Sequence, residues 1–127
     1  MDQVRVILAD DKSQVRDALH ILLDQDLDML VVGEASDAEG LMTQTQTNLP
    51  DLVLVDWELP GFSQADSLSN LKITCPNLQV IALSDWPGGQ RQALSAGADA
   101  FVSKVDSPDR LLDALHAIDV KIRKITS

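Results

Sequence analysis

The chain alternates between short apolar runs and longer stretches whose apolar residues recur every three or four positions. Val4 to Ala9 (VRVILA) is apolar and rich in β-branched residues, and predicts a first strand. From Lys12 to Leu23, the residues Val15, Ala18, Leu19, Leu22 and Leu23 form one stripe, the spacing of an amphipathic helix. Met29 to Gly33 predicts a short second strand. A second helix is expected to begin at Ser36-Asp37-Ala38-Glu39, a capping box with Ser36 as N-cap and Glu39 reaching back, and to fray in the polar run Thr43 to Thr47. Leu52 to Asp56 is an unbroken apolar run ending on a carboxylate, the pattern of a strand buried on both faces. A weak third helix is predicted over roughly Ala65 to Thr74, and a fourth strand over Gln79 to Leu83. The fourth helix should start near Pro87-Gly88-Gly89 and stop at Gly97, ahead of a short fifth strand, Ala100 to Ser103. Ser107-Pro108 then supplies an N-cap and a proline at the first helical position. The last helix carries Leu111, Leu115, Ile118, Ile122 and Ile125 along one side, a row longer than one face of a compact sheet needs.

Strand–helix units repeated without linker or internal sequence repeat require a parallel sheet with helices on both faces, joined by right-handed crossovers. The expected fold is α/β: a doubly wound (βα)5, flavodoxin-like three-layer sandwich with sheet order 2-1-3-4-5. At 127 residues and 45% apolar composition, the chain can bury the core of one domain. No apolar run approaches the ~20 residues of a membrane helix. The first strand begins at Gln3 or Val4, which leaves no room for a signal peptide, and the lone Cys75 excludes an internal disulfide; a cytoplasmic location is expected. A net charge of −10 argues against direct contact with nucleic acid.

The chemistry lies at the strand ends. Asp10-Asp11 closes the first strand, Asp56 the third, Ser84 the fourth and Lys104 the fifth. In a parallel sheet these carboxyl ends share one edge, and ligands bind there where the strand order reverses, between the first and third strands. Carboxylates gathered at that point repel unless a cation intervenes, and hard oxygen ligands in a small open cluster suit Mg2+, with Mn2+ as a substitute. Lys104 adds a mobile positive charge, and the Ser84 hydroxyl a donor for a phosphoryl oxygen, unless Ser84 instead caps the fourth helix. Asp56 is then both a metal ligand and a carboxylate placed to attack phosphorus.

Taken jointly, Asp10-Asp11 after VILA, Asp56 in LVLVDWELPG, Ser84 after VIAL and Lys104 in GADAFVSK resemble the receiver (CheY-like) domain of bacterial two-component response regulators. The resemblance covers essentially all 127 residues. It implies that Asp56 is the phosphoacceptor and that Asp11 and Asp56 bind Mg2+ directly, with the backbone carbonyl of Glu58 as a further ligand and Asp10 acting through water. It implies that Ser84 and Lys104 hold the phosphoryl oxygens, and that Phe101 and Ser84 form the switch, although a phenylalanine here also suits an ordinary core. The wording GADAFVSK and SPDRLLDALHAI looks most like regulators of the NarL/FixJ type. Residues 1–127 would then be the N-terminal receiver of a longer regulator, phosphorylated by a sensor histidine kinase. Its output would be an effector domain after Ser127, expected to bind DNA, with self-association through the fourth helix, fifth strand and fifth helix. A stand-alone receiver is the alternative.

Some positions depart from the common pattern. Ser84 replaces the more frequent threonine, Asp85 follows where small residues are common, and Val105 stands where many receivers have proline, so a trans bond is expected there. Trp57 and Trp86 are expected at the rim of the site, while His20 and His116 lack a ligand-spaced partner. Two readings of other classes compete. An aspartate-based phosphatase would carry its nucleophile in a DxD after the first strand, whereas Asp10-Asp11 stands there; a flavin-binding module would carry Ser, Thr and Gly rather than carboxylates. Neither fits, and no enzyme activity beyond the domain's own phosphorylation and dephosphorylation is expected.

Overall fold

A computed structural model describes residues 3–25 and 28–126. The strands β1 (Val4–Ala9), β2 (Met29–Ala35), β3 (Leu52–Asp56), β4 (Gln79–Ser84) and β5 (Ala100–Ser103) alternate with the helices α1 (Ser13–Leu23), α2 (Ala38–Asn48), α3 (Gln64–Thr74), α4 (Gln90–Ser95) and α5 (Pro108–Thr126). The sheet has the order β2-β1-β3-β4-β5, and every pairing is parallel. This is the doubly wound arrangement expected from the pattern.

The central strands separate two cores by their period of two. Ile7, Ala9, Val53, Val55, Val80 and Ala82 face one layer, where they meet Leu41 of α2, Leu68 and Leu71 of α3 and Ala93 of α4. Val6, Leu8, Leu52, Leu54, Ile81 and Leu83 face the other, against Leu19 and Leu23 of α1 and Leu115, Ile118 and Ile122 of α5. Burial on both faces is why β3 reads as a continuous apolar run.

Several local expectations are corrected. The N-cap of α2 is Asp37 rather than Ser36: its Oδ1 accepts from Gly40 N at 2.7 Å. Nor does α2 fray in Thr43 to Thr47, because Thr45 is buried and its hydroxyl donates to Leu41 O at 2.8 Å. β2 runs two residues further than Gly33, after a register shift between Val6 and Ile7 in its pairing with β1. Gly33 lies where a Cβ would come within 2.4 Å of Gln44 Oε1, so a side chain there would push the α2 amide aside. The fourth helix is preceded by a short 3-10 turn, Pro87–Gly89, and ends as expected. Gly97 takes φ +114, with Gly97 N donating to Leu94 O and Ala98 N to Ala93 O, the paired bonds of a Schellman motif. Among the described residues no peptide bond is cis, so Lys104–Val105 is trans.

The row on α5 is covered by the domain's own sheet as far as Ile122, and only Ile125, 41% exposed, stands clear of it. The expected surplus of apolar surface on that row therefore shrinks to one residue. Chain continuation after Ser127 lies outside the described residues. Leu115→Ala, at a fully buried position, should lower the unfolding free energy by about 2–5 kcal/mol in urea titrations. Ile125→Ala should stay within about 0.5 kcal/mol of the unsubstituted chain. Equal losses for the two would contradict this boundary.

Candidate functional site

Backbone bonds between neighbouring strand ends build the edge that carries the site. Asp10 N donates to Ala35 O, Trp57 N to Leu83 O and Lys104 N to Ser84 O, at 3.0, 2.7 and 2.7 Å. Each strand is thus stitched to its neighbour just where its polar residue emerges. Asp10, Asp56 and Ser84 are all buried, at 1%, 4% and 1% exposure.

Burying carboxylates is costly unless charge and hydrogen bonds compensate. Here Lys104 Nζ reaches across from β5 to Asp10 Oδ2 at 2.6 Å and to Asp56 Oδ1 at 3.4 Å. Burial on its own would push the Lys104 ammonium toward neutrality, but the Asp10 hydrogen bond and the charges of Asp56 and Asp10 outweigh it and raise its pKa above the ordinary lysine value. Lys104 is therefore charged at neutral pH. Asp56 Oδ1 also accepts from Glu58 N at 3.0 Å, and Asp10 Oδ1 from Lys12 N at 2.9 Å. Among the described residues Asp56 Oδ2 takes no such bond.

Asp11 is exposed beside this buried pair, and carboxylate oxygens of Asp10, Asp11 and Asp56 all lie within 4.8 Å of one another. The buried Lys104 ammonium and the exposed Lys12 ammonium, 3.8 Å from Asp11 Oδ1, against three carboxylates still leave negative charge at the sheet edge. The donor set is all oxygen, with one ligand open to solvent, and it fits a small hard divalent cation. The Glu58 carbonyl accepts no hydrogen bond among the described residues.

The remaining predicted residues flank this cluster. Ser84 Oγ donates to Glu58 Oε1 at 2.9 Å and accepts from Trp86 N at 3.0 Å, so it caps no regular helix turn. Phe101 is half-buried against the α2–α3–α4 core, with its ring beside Gly89. The two tryptophans part company: Trp86 is 61% exposed at the rim, but Trp57 is buried, edge-on to Phe62 with ring centroids 5.6 Å apart. Trp57 is thus core rather than rim, because the residue after Asp56 turns inward over the α2–α3 layer.

Sequence reasoning missed a brace behind Asp10. Arg16 of α1 donates from Nη1 to Asp10 O at 2.6 Å and from Nε to Glu34 Oε1 at 2.7 Å. His20 Nε2 lies 3.0 Å from Glu34 Oε2, and this bond, ahead of the Arg16 contact, holds the Glu34 carboxyl below the usual range. Their spacing on α1 was the available signal, since Arg16 and His20 stand one turn apart. Glu34, on an edge strand, carried none.

Residues 6–116 match the family described as the response regulator receiver domain. The chain is 36% identical over 115 residues to the transcriptional activator protein ExaE of Pseudomonas putida, covering 89% of this chain and 54% of that protein. It is 33% identical over 113 residues to the nitrate/nitrite response regulator protein NarL of Escherichia coli, covering 87% of this chain and 52% of that one. The chain thus spans about half the length of these curated relatives. Its fold is similar to the crystal structure of a LuxR-family two-component response regulator from Aurantimonas sp., with 26% identity, a TM-score of 0.82 and coverage of 92% of this chain and 85% of that one. Matched along most of its length in both sequence and fold, the chain belongs to the response regulator receiver domains, among relatives of the NarL and LuxR type.

Proposed function

We propose that Asp56 is the phosphoacceptor of this receiver and that Oδ2 is the attacking oxygen. The observation that carries this is the pairing at Asp56: Oδ1 is held by Glu58 N and Lys104, while Oδ2 takes no hydrogen bond among the described residues. Attack on a phosphorylated histidine or a small acyl phosphate forms the Asp56 O–P bond as the donor's bond to phosphorus breaks. Lys104 Nζ, near both Asp10 and Asp56, would stabilise negative charge on the transferring oxygens. Asp11 and Asp56 would hold Mg2+ directly, with the Glu58 carbonyl as a further ligand and Asp10 through water. When bound, the cation supplies charge neutralisation at the phosphoryl group. Ser84, and Phe101 on the adjoining strand, would convey the change to the α4–β5–α5 face.

The domain's own chemistry on this reading is the gain and loss of one phosphoryl group, supplied by a sensor histidine kinase. Because the relatives are about twice as long, residues 1–127 would form the receiver of a longer cytoplasmic regulator. Its effector domain would bind DNA, and phosphorylation would release that domain or promote pairing of receivers. At −10, this domain would leave DNA contact to the effector. The receiver alone should show no retention on duplex DNA even at low salt; salt-sensitive retention would count against that division of labour.

Mg2+ titration should change tryptophan emission, since Trp57 adjoins Asp56. Asp11→Ala should weaken the apparent affinity by about tenfold or more, and an unaltered titration would remove Asp11 from the ligand set. Incubation with acetyl phosphate and Mg2+ should add one phosphoryl group by intact mass, and Asp56→Asn should abolish it. Equal modification of that variant would place the acceptor elsewhere.

A further inference from the structure

The hydrogen of the Ser84 hydroxyl is already engaged in the unphosphorylated domain. Ser84 Oγ faces the Glu58 carboxylate, 2.9 Å from Oε1 and 3.2 Å from Oε2, while accepting from Trp86 N at 3.0 Å. A serine hydroxyl has a single hydrogen, and an ionised carboxylate can only accept. Oxygens of a phosphoryl group on Asp56 would likewise be charged acceptors. Two acceptors on the same loop-and-strand edge therefore compete for one donor.

Position makes the competition specific. Ser84 is buried at 1% exposure, whereas Glu58 is exposed, so the carboxylate can leave for water at little cost while the hydroxyl stays at the site. The backbone of Glu58 is tied to the acceptor itself, its N–H donating to Asp56 Oδ1 at 3.0 Å. The competing group is thus carried by the turn that follows Asp56 and remains within reach of Ser84 by construction.

We propose that the Glu58 side chain is a built-in competitor of the phosphoryl group: it holds the Ser84 hydroxyl in the resting domain and must be displaced before Ser84 can bond a phosphoryl oxygen at Asp56. This rests on Asp56 as the acceptor. Glu58 is a positioning residue acting through Ser84, and it biases the resting state by the free energy of one charge-assisted hydrogen bond. The engaged serine and the phosphoryl-bound serine are alternative states of one hydroxyl. A substitution that frees the hydroxyl shifts the balance toward the second.

The test uses beryllofluoride with Mg2+ as the phosphoryl mimic, titrated against the 127-residue chain and followed by tryptophan emission. Glu58→Ala should tighten apparent affinity about tenfold, the scale of one such bond. Glu58→Gln, which keeps an acceptor without the charge, should give a smaller gain. In a Ser84→Ala background, Glu58→Ala should change affinity by less than about twofold, because the shared hydrogen is gone. An equal gain with and without the Ser84 hydroxyl would make Glu58 only a repelling charge and overturn the proposal, as would no gain from Glu58→Ala when Ser84 is intact. Beryllofluoride binding undiminished by Asp56→Asn would instead overturn the acceptor reading, and the proposal with it.

Discussion

A carboxylate at the end of a strand buried along its whole length needs a compensating charge, and the Asp56–Lys104–Asp10 contact supplies it. Lys104 comes from β5 and the aspartates from β3 and β1, so the contact spans most of the sheet. It exists only if the strands are parallel, in this order and in this register. A shift of one residue in β3 or β5 would turn the polar end group toward the opposite layer. Removing Lys104 would leave the two buried carboxylates of Asp10 and Asp56 without an ammonium between them, since the exposed Lys12 pairs with Asp11 at 3.8 Å; that is far more costly than the loss of an exposed ion pair. The fold and the site are therefore constrained by one set of charges.

The strand ends were legible because burial on two faces leaves a plain mark: an unbroken apolar run with a polar residue after it. Leu52 to Asp56 and Gln79 to Ser84 show it, and their polar termini are the site. The helices of the α2–α3–α4 layer were harder to place. α2 packs Leu41 and Met42 into the core but is otherwise largely polar, with Thr45 buried and bonding back to Leu41 O and Gln44 paired to Asn48 within the helix, so no long apolar stripe marks it. Ser36 and Asp37 are equally good caps by residue type, and the choice depended on which side chain meets Gly40 N. The spacing of Arg16 and His20 on α1 hinted at a shared partner but could not point to Glu34, which lies on an edge strand across a gap in sequence that no local period encodes.

Within the two layers, α4 is anchored by the fewest buried side chains. On one side α1 and α5 bury a row of large aliphatic side chains against the sheet, down to Ile122. On the other, α4 is six residues long, follows a 3-10 turn, and buries only Ala93. Gln64 enters α3 at φ 34, in the left-handed region. Few buried apolar contacts and irregular backbone mark the segment that reorganises most readily. Phe101 packs on this side, beside Gly89, where a Cβ would lie 3.4 Å from Phe101 Cε2, in ordinary van der Waals contact.

The residue at the heart of the charge cluster and the residue beside Gly89 thus share one segment. Phe101 and Lys104 are three positions apart, at β5 and its immediate end, with Val102 between them anchored in the opposite core. Lys104 N is tied to Ser84 O, and the backbone of β5 is paired to β4 through Phe101↔Ala82 and Ser103↔Ser84. The backbone that carries the Lys104 ammonium also carries the Phe101 ring. β5 has only two ladder partners beyond Phe101, and its outer side is unpaired among the described strands. The Lys104 backbone and the Phe101 ring therefore share the shortest strand of the sheet and its immediate end, on the side that α4 covers.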